Sequence, residues 1–332
     1  MFIRPARQTL RLLPLLILGV TLIGGCTARR ETRPVLTDVP YESGPWRYQG
    51  SSGRVIKTAH YELHTTLNDD VLLDALPQAV ETAYSFYREL VPTAGEPAER
   101  MKIYLFARRG EWSHFTRDFA GPRARILLKI RNGGYMERGV SVVEYVAHSV
   151  TFPLLTHEGF HQYLHHCVDS RVPAWLNEGL AVACEGQRWG RDGLIEFDPW
   201  HNPTRRNTLA QALLRDKLFP LDKLLCINAG HVVGGTASEV GAYYAQLWAL
   251  TLFLREGADG KYADGFARLL STLGTEDLEL YARAAHVKSS HKRYNYGRAL
   301  FCNFISDDIE TVEREYREFM RERVLGARSN RK

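Results

Sequence analysis

The sequence predicts an α+β fold, with an N-terminal lobe of mixed strands and helices and a mainly helical C-terminal lobe. Between residues 54 and 150, short runs rich in β-branched and aromatic residues alternate with amphipathic segments of helical period. From residue 151 onward the helical period dominates. Together, residues 54–325 are enough for one large domain or for two lobes with a cleft between them.

The N-terminal lobe, residues 54–150, is predicted to contain four strands and two helices. The strands are expected over residues 54–67, 101–107, 125–130 and 140–145. The helices are expected over residues 71–91 and 109–120.

The C-terminal lobe, residues 151–325, begins with two helices that the sequence places side by side. The first begins near Pro153, and the second has Pro173 in its first turn and Gly186 at its end. Only a short polar turn joins them, so we expect an antiparallel hairpin. Further helices are expected near residues 207–216, 240–256, 261–273 and 306–325.

The first of these helices contains the motif His157-Glu158-Gly159-Phe160-His161. Residues four apart lie on one face of a helix, about 6 Å apart along its axis. Two imidazoles so placed can converge on one zinc ion with Zn–N bonds of about 2.0–2.1 Å. Glu158, one position round from His157, would lie beside the ion and take a proton from zinc-activated water. The motif therefore predicts His157 and His161 as ligands and Glu158 as general base.

A third ligand, Glu178, is predicted on the second helix, in the run Trp175-Leu-Asn-Glu-Gly179. In the expected hairpin its carboxylate would face the two histidines. Three protein ligands leave the fourth position of a tetrahedral ion open to water, as in catalytic zinc sites, whereas structural sites close with four ligands. The alternative is a structural helix with two incidental histidines, since the chain has twelve of them.

These residues resemble the gluzincins, the zinc peptidases that include thermolysin and the M1 aminopeptidases, and in particular the short peptidase-MA-like bacterial domains. A second match is the run that starts at Tyr244, which is similar to an aminopeptidase helix that begins with a tyrosine. The resemblance implies a zincin-like fold with the active-site cleft between the two lobes and one Zn²⁺ per chain. The roles it implies are ligands at His157, His161 and Glu178, general base at Glu158 and oxyanion donor at Tyr244. Tyr243, the neighbouring tyrosine, stays an alternative for that last role.

The chain departs from those families in the length of the loop between His161 and Glu178, which is slightly shorter than is usual in the aminopeptidases, and in two sets of residues near the site. It has no G-x-M-x-N segment of the kind that holds a substrate's free amino terminus. Val182 occupies the position of the aspartate that supports a zinc-bound histidine in thermolysin, so the group that orients His157 must come from elsewhere. The resemblance also implies an edge strand that holds extended substrate, and residues 140–145 are the candidate.

Residues 1–25 are predicted to be a lipoprotein signal peptide. Three arginines precede an apolar run too short for a good membrane span, and Ile23-Gly-Gly-Cys26 resembles a lipobox, with Cys26 as the lipidated residue. The alternatives are an ordinary signal peptide or a short N-terminal anchor. Residues 26–53 are predicted to be a flexible tether. We therefore expect a protein attached by lipid to the bacterial cell envelope, at the periplasmic face of the outer membrane.

The charge of the chain gives no indication of a nucleic-acid surface. Its net charge of +5 falls to +2 without residues 1–25, because three arginines and no acids are lost. Residues 326–332 are predicted to be a basic, solvent-exposed tail.

The remaining cysteines are Cys167, Cys184, Cys226 and Cys302, and no two of them have C-x-x-C spacing. The sequence is compatible with two disulfides and with four free thiols.

The sequence thus predicts a zinc-dependent peptidase that acts on peptide or protein substrates. Two alternatives are a non-catalytic envelope lipoprotein on a zincin scaffold and a zinc amidase that acts on cell-wall peptides. Cleavage specificity is left open.

Overall fold

The computed structural model describes residues 39–131, 133–190, 195–232, 235–288, 294–324 and 326. The predicted signal peptide, Cys26, the tether as far as residue 38 and residues 327–332 lie outside this part of the chain. Within it, no helix combines the length and the mean hydropathy that crossing a membrane requires.

A six-stranded mixed sheet lies at the centre of the N-terminal part. Its strands are β1 (Glu42–Tyr48), β2 (Ser51–Lys57), β3 (Tyr61–Thr65), β4 (Met101–Phe106), β5 (Gly134–Glu137) and β6 (Val140–Glu144). They pair in the order β1-β2-β3-β4-β6-β5. The β3–β4 and β4–β6 pairs are parallel and the other three are antiparallel. β1 and β5 are therefore the edge strands.

Helices cover both faces of this sheet. They are α1 (Asp70–Leu90), α2 (Arg109–Ala120), α3 (Ala124–Leu127) and α4 (His148–Cys167). Alternate residues of β4 point to opposite faces. Ile103 and Leu105 join the main core with α1 and α4, whereas Phe106 packs with Trp112 of α2 in a second, smaller core. The helix that contains the HExxH motif thus lies on the sheet face that carries the main core.

Two sequence predictions for the end of this sheet are wrong. Residues 124–127 form α3 instead of the start of a strand, because Ala124 and Leu127, three positions apart, both bury in the smaller core. Residues 140–144 form β6, which is an inner strand; the edge strand at this end of the sheet is β5. The two join through Arg138 and Gly139, both at positive φ, which is the geometry of a two-residue hairpin turn.

The predicted tether also ends earlier than residue 53. Residues 42–48 and 51–53 belong to β1 and β2, and the single strand predicted from residue 54 is divided between β2 and β3. Trp46 and Tyr48 explain why this segment is ordered. Their rings pack against aromatic side chains of the smaller core, including Phe106, with ring centroids 5.0 to 6.3 Å apart.

The C-terminal part is helical apart from one short hairpin, β7 (Gln187–Trp189) with β8 (Ile195–Phe197). Its helices are α5 (Ala174–Cys184), α6 (Pro203–Leu214), α7 (Leu221–Cys226), α8 (Ala229–Val232), α9 (Ala237–Glu256), α10 (Ala263–Thr272), α11 (Leu278–Lys288), α12 (Tyr296–Phe304) and α13 (Ile309–Phe319), the last continued by a π-turn over Met320–Val324. One main core contains residues of the sheet and of these helices. The α+β class is confirmed at this level. Cys167 at the end of α4 and the three cysteines of the C-terminal part, Cys184, Cys226 and Cys302, are free thiols.

Candidate metal centre

The α4–α5 hairpin is the frame of the site. Thr156 Oγ1 of α4 donates to the carbonyl of Cys184 at the end of α5, at 2.9 Å. One and a half turns further along α4, His161 lies against Asn177 at the start of α5. Positions that rise along α4 therefore meet positions that fall along α5, so the two helices run antiparallel. The predicted hairpin is confirmed.

Two glycines of the motifs allow close packing around this frame. A Cβ on Gly159 would lie 2.7 Å from the Tyr87 hydroxyl of α1, which donates to the carbonyl of Thr156 at 2.7 Å. A Cβ on Gly179 would lie 2.5 Å from Thr251 Oγ1 of α9. Any larger residue would push α1 or α9 away from the hairpin, because real Cβ atoms do not tolerate such distances.

Three side chains from this hairpin converge at one point. His157 Nε2 and His161 Nε2 lie 3.2 Å apart, and Glu178 Oε2 lies 3.5 Å from the first and 3.4 Å from the second. A tetrahedral zinc ion with bonds of about 2.0–2.1 Å holds its ligand atoms about 3.4 Å apart. The three atoms therefore have the mutual spacing of a zinc ligand set.

The carboxylate of Glu178 supports the same interpretation. Its Oε2 is buried and has no hydrogen-bond partner among the described residues. A buried acceptor left without a partner is costly unless something else satisfies it. A cation between the three atoms would do so, since carboxylate oxygen and imidazole nitrogen are both zinc ligands. His157, His161 and Glu178 thus fit a zinc ion in spacing and in chemistry.

The sequence matches no model of a known protein family and no curated protein. Any function proposed for this chain must therefore rest on the geometry of the site.

His157 is supported by an ion pair. Its Nδ1 lies 3.0 Å from Glu185 Oε1, just past the end of α5. Arg205 of α6 binds both oxygens of Glu185, at 2.6 and 2.9 Å, and Asn202 donates to one of them at 3.0 Å. Arg205 also lies over the ring of Tyr244, 5.2 Å from its centroid. An ionised carboxylate can only accept, so His157 donates from Nδ1 and keeps Nε2 for the metal.

Electrostatics keeps this group charged in the metal-free protein. Burial disfavours the charge on Glu185, but Arg205 and His157 outweigh it and lower the pKa of Glu185 to about 2. Burial likewise opposes the protonation of His157, yet the carboxylates of Glu178 and Glu185 raise its pKa to about 10. A zinc ion bound here at neutral pH would therefore have to displace a proton from His157.

His161 is supported by a neutral group. Its Nδ1 lies 2.7 Å from Asn177 Oδ1, the residue just before Glu178. The amide oxygen accepts the Nδ1 proton, which again leaves Nε2 for the metal. Burial opposes the protonation of His161 too, and Glu178 is the main group that raises its pKa.

Glu158 is not one of the three converging residues, but it is close enough to all of them for each to affect its pKa. It is buried, and its backbone carbonyl accepts from Ser141 of β6 at 3.2 Å. The edge strand passes directly over it, since a Cβ on Gly134 would lie 3.2 Å from Glu158 Cγ. Burial raises the pKa of Glu158, against the lowering effect of the neighbouring histidines. A carboxylate with a raised pKa is a better proton acceptor at neutral pH.

The two adjacent tyrosines of α9 have different surroundings. The ring of Tyr244 lies 6.0 Å from the ring of His157, and its phenol is close enough to Glu178 and Glu158 for both to raise its pKa, after burial. Tyr243 is fully buried, packs toward Phe219, and its hydroxyl has no hydrogen-bond partner among the described residues. Tyr244 is thus the tyrosine that borders both the candidate ligands and the candidate base.

The supporting residues of the site are those that the sequence does not identify. Glu185 has one usable signal: it follows Glu178 by seven residues, or two helical turns, and so shares its face of α5. Arg205 has no such signal, because it comes to the site only through the packing of α6 against α9.

Proposed function

We propose that this protein is a zinc-dependent peptidase of the gluzincin type. The observation that carries the proposal is the triangle of His157 Nε2, His161 Nε2 and Glu178 Oε2, with sides of 3.2 to 3.5 Å, in which the buried Glu178 oxygen makes no hydrogen bond within the described part of the chain. Glu158 next to the triangle supplies the carboxylate that metal-assisted hydrolysis requires.

The lipobox-like run at Cys26 supports a lipid anchor at the bacterial envelope. Labelling with palmitate tests this: the wild type should incorporate the label and Cys26→Ser should not.

Bound zinc would supply a Lewis acid that activates water and polarises the scissile carbonyl. Glu158 takes the proton of the attacking water and passes it to the leaving amine. Tyr244 stays protonated because burial raises its pKa, so its phenol can donate a hydrogen bond to the oxygen that gains negative charge. Glu185 and Asn177 fix the orientation of the two imidazoles.

The edge strand β5 offers a place for the peptide backbone. Its outer edge pairs with no strand in the described part of the chain, and Gly134 at its start packs against Glu158. A substrate added to β5 by main-chain hydrogen bonds would therefore pass next to the general base. We therefore propose β5 as the strand that holds extended substrate, in place of residues 140–145, the candidate that the sequence favours.

Metal analysis and a peptide digest test the proposal together. The full chain, loaded with zinc and freed of excess, should hold one zinc per chain, and His161→Ala should hold none. The wild type should cleave members of a broad peptide library that includes cell-wall peptides, and a chelator should abolish the cleavage. Glu158→Gln should keep its zinc and lose turnover by at least about a thousandfold, since it loses the general base.

Three results would overturn the proposal. A chain that holds no stoichiometric zinc after reconstitution has no zinc centre. A zinc-loaded chain that cleaves no peptide in the library, or a Glu158→Gln variant as active as the wild type, would reject the peptidase mechanism.

A further inference from the structure

A cavity of about 550 Å³ opens beside the metal centre, with Asn177 and Glu178 in its wall. The rest of the wall comes from the start of α5, the segment between α7 and α8, and the start of α12. It is large enough for an amino-acid side chain with part of its neighbours. Since a metal ligand borders it, a group bound here would lie close to the scissile bond.

The wall of this cavity contains one cationic side chain and several side-chain amides among apolar residues. Arg171 lines the cavity and has no ion pair among the described residues. Asn177 and Asn228 use their amide oxygens for His161 and His231, and neither amide nitrogen has a partner in the described part of the chain. Glu178, which we assign to the metal, is the one carboxylate among the described lining residues. The cavity therefore has a positive charge and free N–H groups, with no acid other than Glu178 among the described residues that line it.

Arg171 is held at the wall of the cavity. Its guanidinium lies over the ring of Tyr296, 4.8 Å from the centroid, and the Tyr296 hydroxyl donates to the Arg171 carbonyl. Behind the wall, Glu279 accepts at Oε1 from Tyr294 at 2.8 Å and from Arg283 at 3.1 Å, and Arg171 attracts it only at a longer range than that of an ion pair. The charge of Arg171 is thus positioned by packing and available to a ligand.

We propose that this cavity binds a carboxylate of the peptide substrate, from an acidic side chain or from a free C-terminus. The proposal depends on the peptidase function proposed above and adds the substrate class. A carboxylate accepts charge-assisted hydrogen bonds from Arg171 and from the asparagine amides. An apolar side chain would bury those donors without partners, and a lysine would meet Arg171 with no free acid to pair with.

A matched set of peptides tests this inference. A parent peptide cleaved by the wild type is varied to Glu, Gln or Lys at each of three positions on either side of the scissile bond. At one position we expect kcat/KM to be at least about tenfold higher for Glu than for Lys, with Gln between them. A second set with free or amidated C-termini distinguishes the two sources of the carboxylate, and a preference in either set supports the proposal.

The variant Arg171→Glu should lower the Glu-to-Lys ratio of kcat/KM at that position, or the free-to-amidated ratio, by at least about tenfold. Arg171→Lys keeps the charge and should retain most of the preference. The control is Arg117→Glu, an identical charge change at an exposed arginine of α2 on the other face of the sheet, which should leave the ratio unchanged. Equal cleavage of the Glu, Gln and Lys peptides together with no effect of the C-terminus would overturn the proposal, as would an Arg171→Glu variant with an unaltered preference.

A binding measurement separates this inference from the peptidase function. The zinc-loaded Glu158→Gln chain, titrated with the same fluorescently labelled peptides, should bind the carboxylate-bearing ones at least about tenfold more tightly than their Lys or amidated counterparts. Turnover without such a preference contradicts the carboxylate site alone. A binding preference without any turnover contradicts the peptidase function alone.

Discussion

The two histidines of the candidate centre lie one turn apart on one helix, yet the protein supports them differently. His157 donates to Glu185, which is ion-paired with Arg205, whereas His161 donates to the neutral amide of Asn177. The support of His157 draws on α5, α6 and the segment before α6, and that of His161 lies within the α4–α5 hairpin. The motif thus determines where the candidate ligand atoms lie, and the tertiary fold determines whether the group behind each imidazole is charged or neutral.

This difference has a consequence for metal binding. A carboxylate behind an imidazole makes its other nitrogen a stronger base and a stronger ligand. The buried ion pair also connects His157 to Tyr244, since Arg205 lies over the tyrosine ring. We therefore expect the His157 side to contribute more to zinc affinity and to catalysis than the His161 side. Three predictions test that asymmetry.

The largest effect is expected at the tyrosine that packs on the His157 side. Tyr244→Phe should keep its zinc and lower kcat by about 100-fold, because it removes one donor to the developing oxyanion. Steady-state kinetics on a peptide that the wild type cleaves measures this, with zinc content determined in parallel.

Tyr243→Phe is the matched control, since it makes the same substitution one residue away. The Tyr243 hydroxyl is buried and has no partner in the described part of the chain, so its loss should leave kcat within about threefold and stability unchanged or higher. If Tyr243→Phe lost the activity and Tyr244→Phe kept it, the oxyanion role would move to Tyr243 and away from the His157 side.

The sequence predicts the parts of this site that depend on local spacing. His157, His161 and Glu178 could be found because helix geometry alone brings positions four apart to one face and a short turn brings the next helix back. The helices predicted at 71–91 and 109–120 correspond to α1 and α2 for the same reason, since a strong helical period needs no knowledge of the partner.

What the sequence does not predict depends on contacts between distant segments. Arg205 comes to Glu185 from twenty residues away, and nothing local marks it as a buried charge. Residues 42–48 contain glycine and proline, and they form a strand because Trp46 and Tyr48 find aromatic partners far along the chain. The edge strand was misassigned because an alternating pattern reveals a strand but not its neighbours in the sheet.

The second prediction concerns a variant in which the groups behind His157 and His161 are both neutral. Glu185→Gln replaces the carboxylate behind His157 with an amide, as behind His161. We expect the Kd for zinc to rise by about 10- to 100-fold. Arg205, with only 20% of its side chain exposed, loses its ionic partner, so the free energy of unfolding of the metal-free protein should fall by about 1–3 kcal/mol. Chelator competition and denaturant unfolding measure the two quantities.

The pKa values of the site also predict how the loss of stability in Glu185→Gln depends on pH. The pKa of Glu185 is about 2 in the folded protein, below its value in the unfolded chain. Its contribution to stability is therefore complete above the unfolded pKa and is lost only as the pH falls toward 2. His157 adds a second dependence, because Glu178 and Glu185 raise its pKa to about 10 in the folded protein, above its value of about 6.5 in the unfolded chain. In the metal-free protein the stability difference between wild type and Glu185→Gln should therefore be largest near pH 6 and should decrease as the pH rises toward 10, and a difference that grows over that range would contradict the ion pair.

The smallest effect is expected on the His161 side, where Asn177→Asp makes the two sides alike by adding a charge. The new carboxylate would strengthen His161 as a ligand but would stand next to Glu178, and these effects oppose each other. We therefore expect a Kd for zinc between the wild-type value and about tenfold below it, whereas Asn177→Ala should raise the Kd by about tenfold because the Nδ1 proton loses its acceptor. Chelator competition without substrate is the suitable measurement, since Asn177 also lines the cavity beside the centre. If Asn177→Asp bound zinc more weakly than Asn177→Ala, a second carboxylate behind the ligands would be harmful, and the single charge behind His157 would be the most that this centre tolerates.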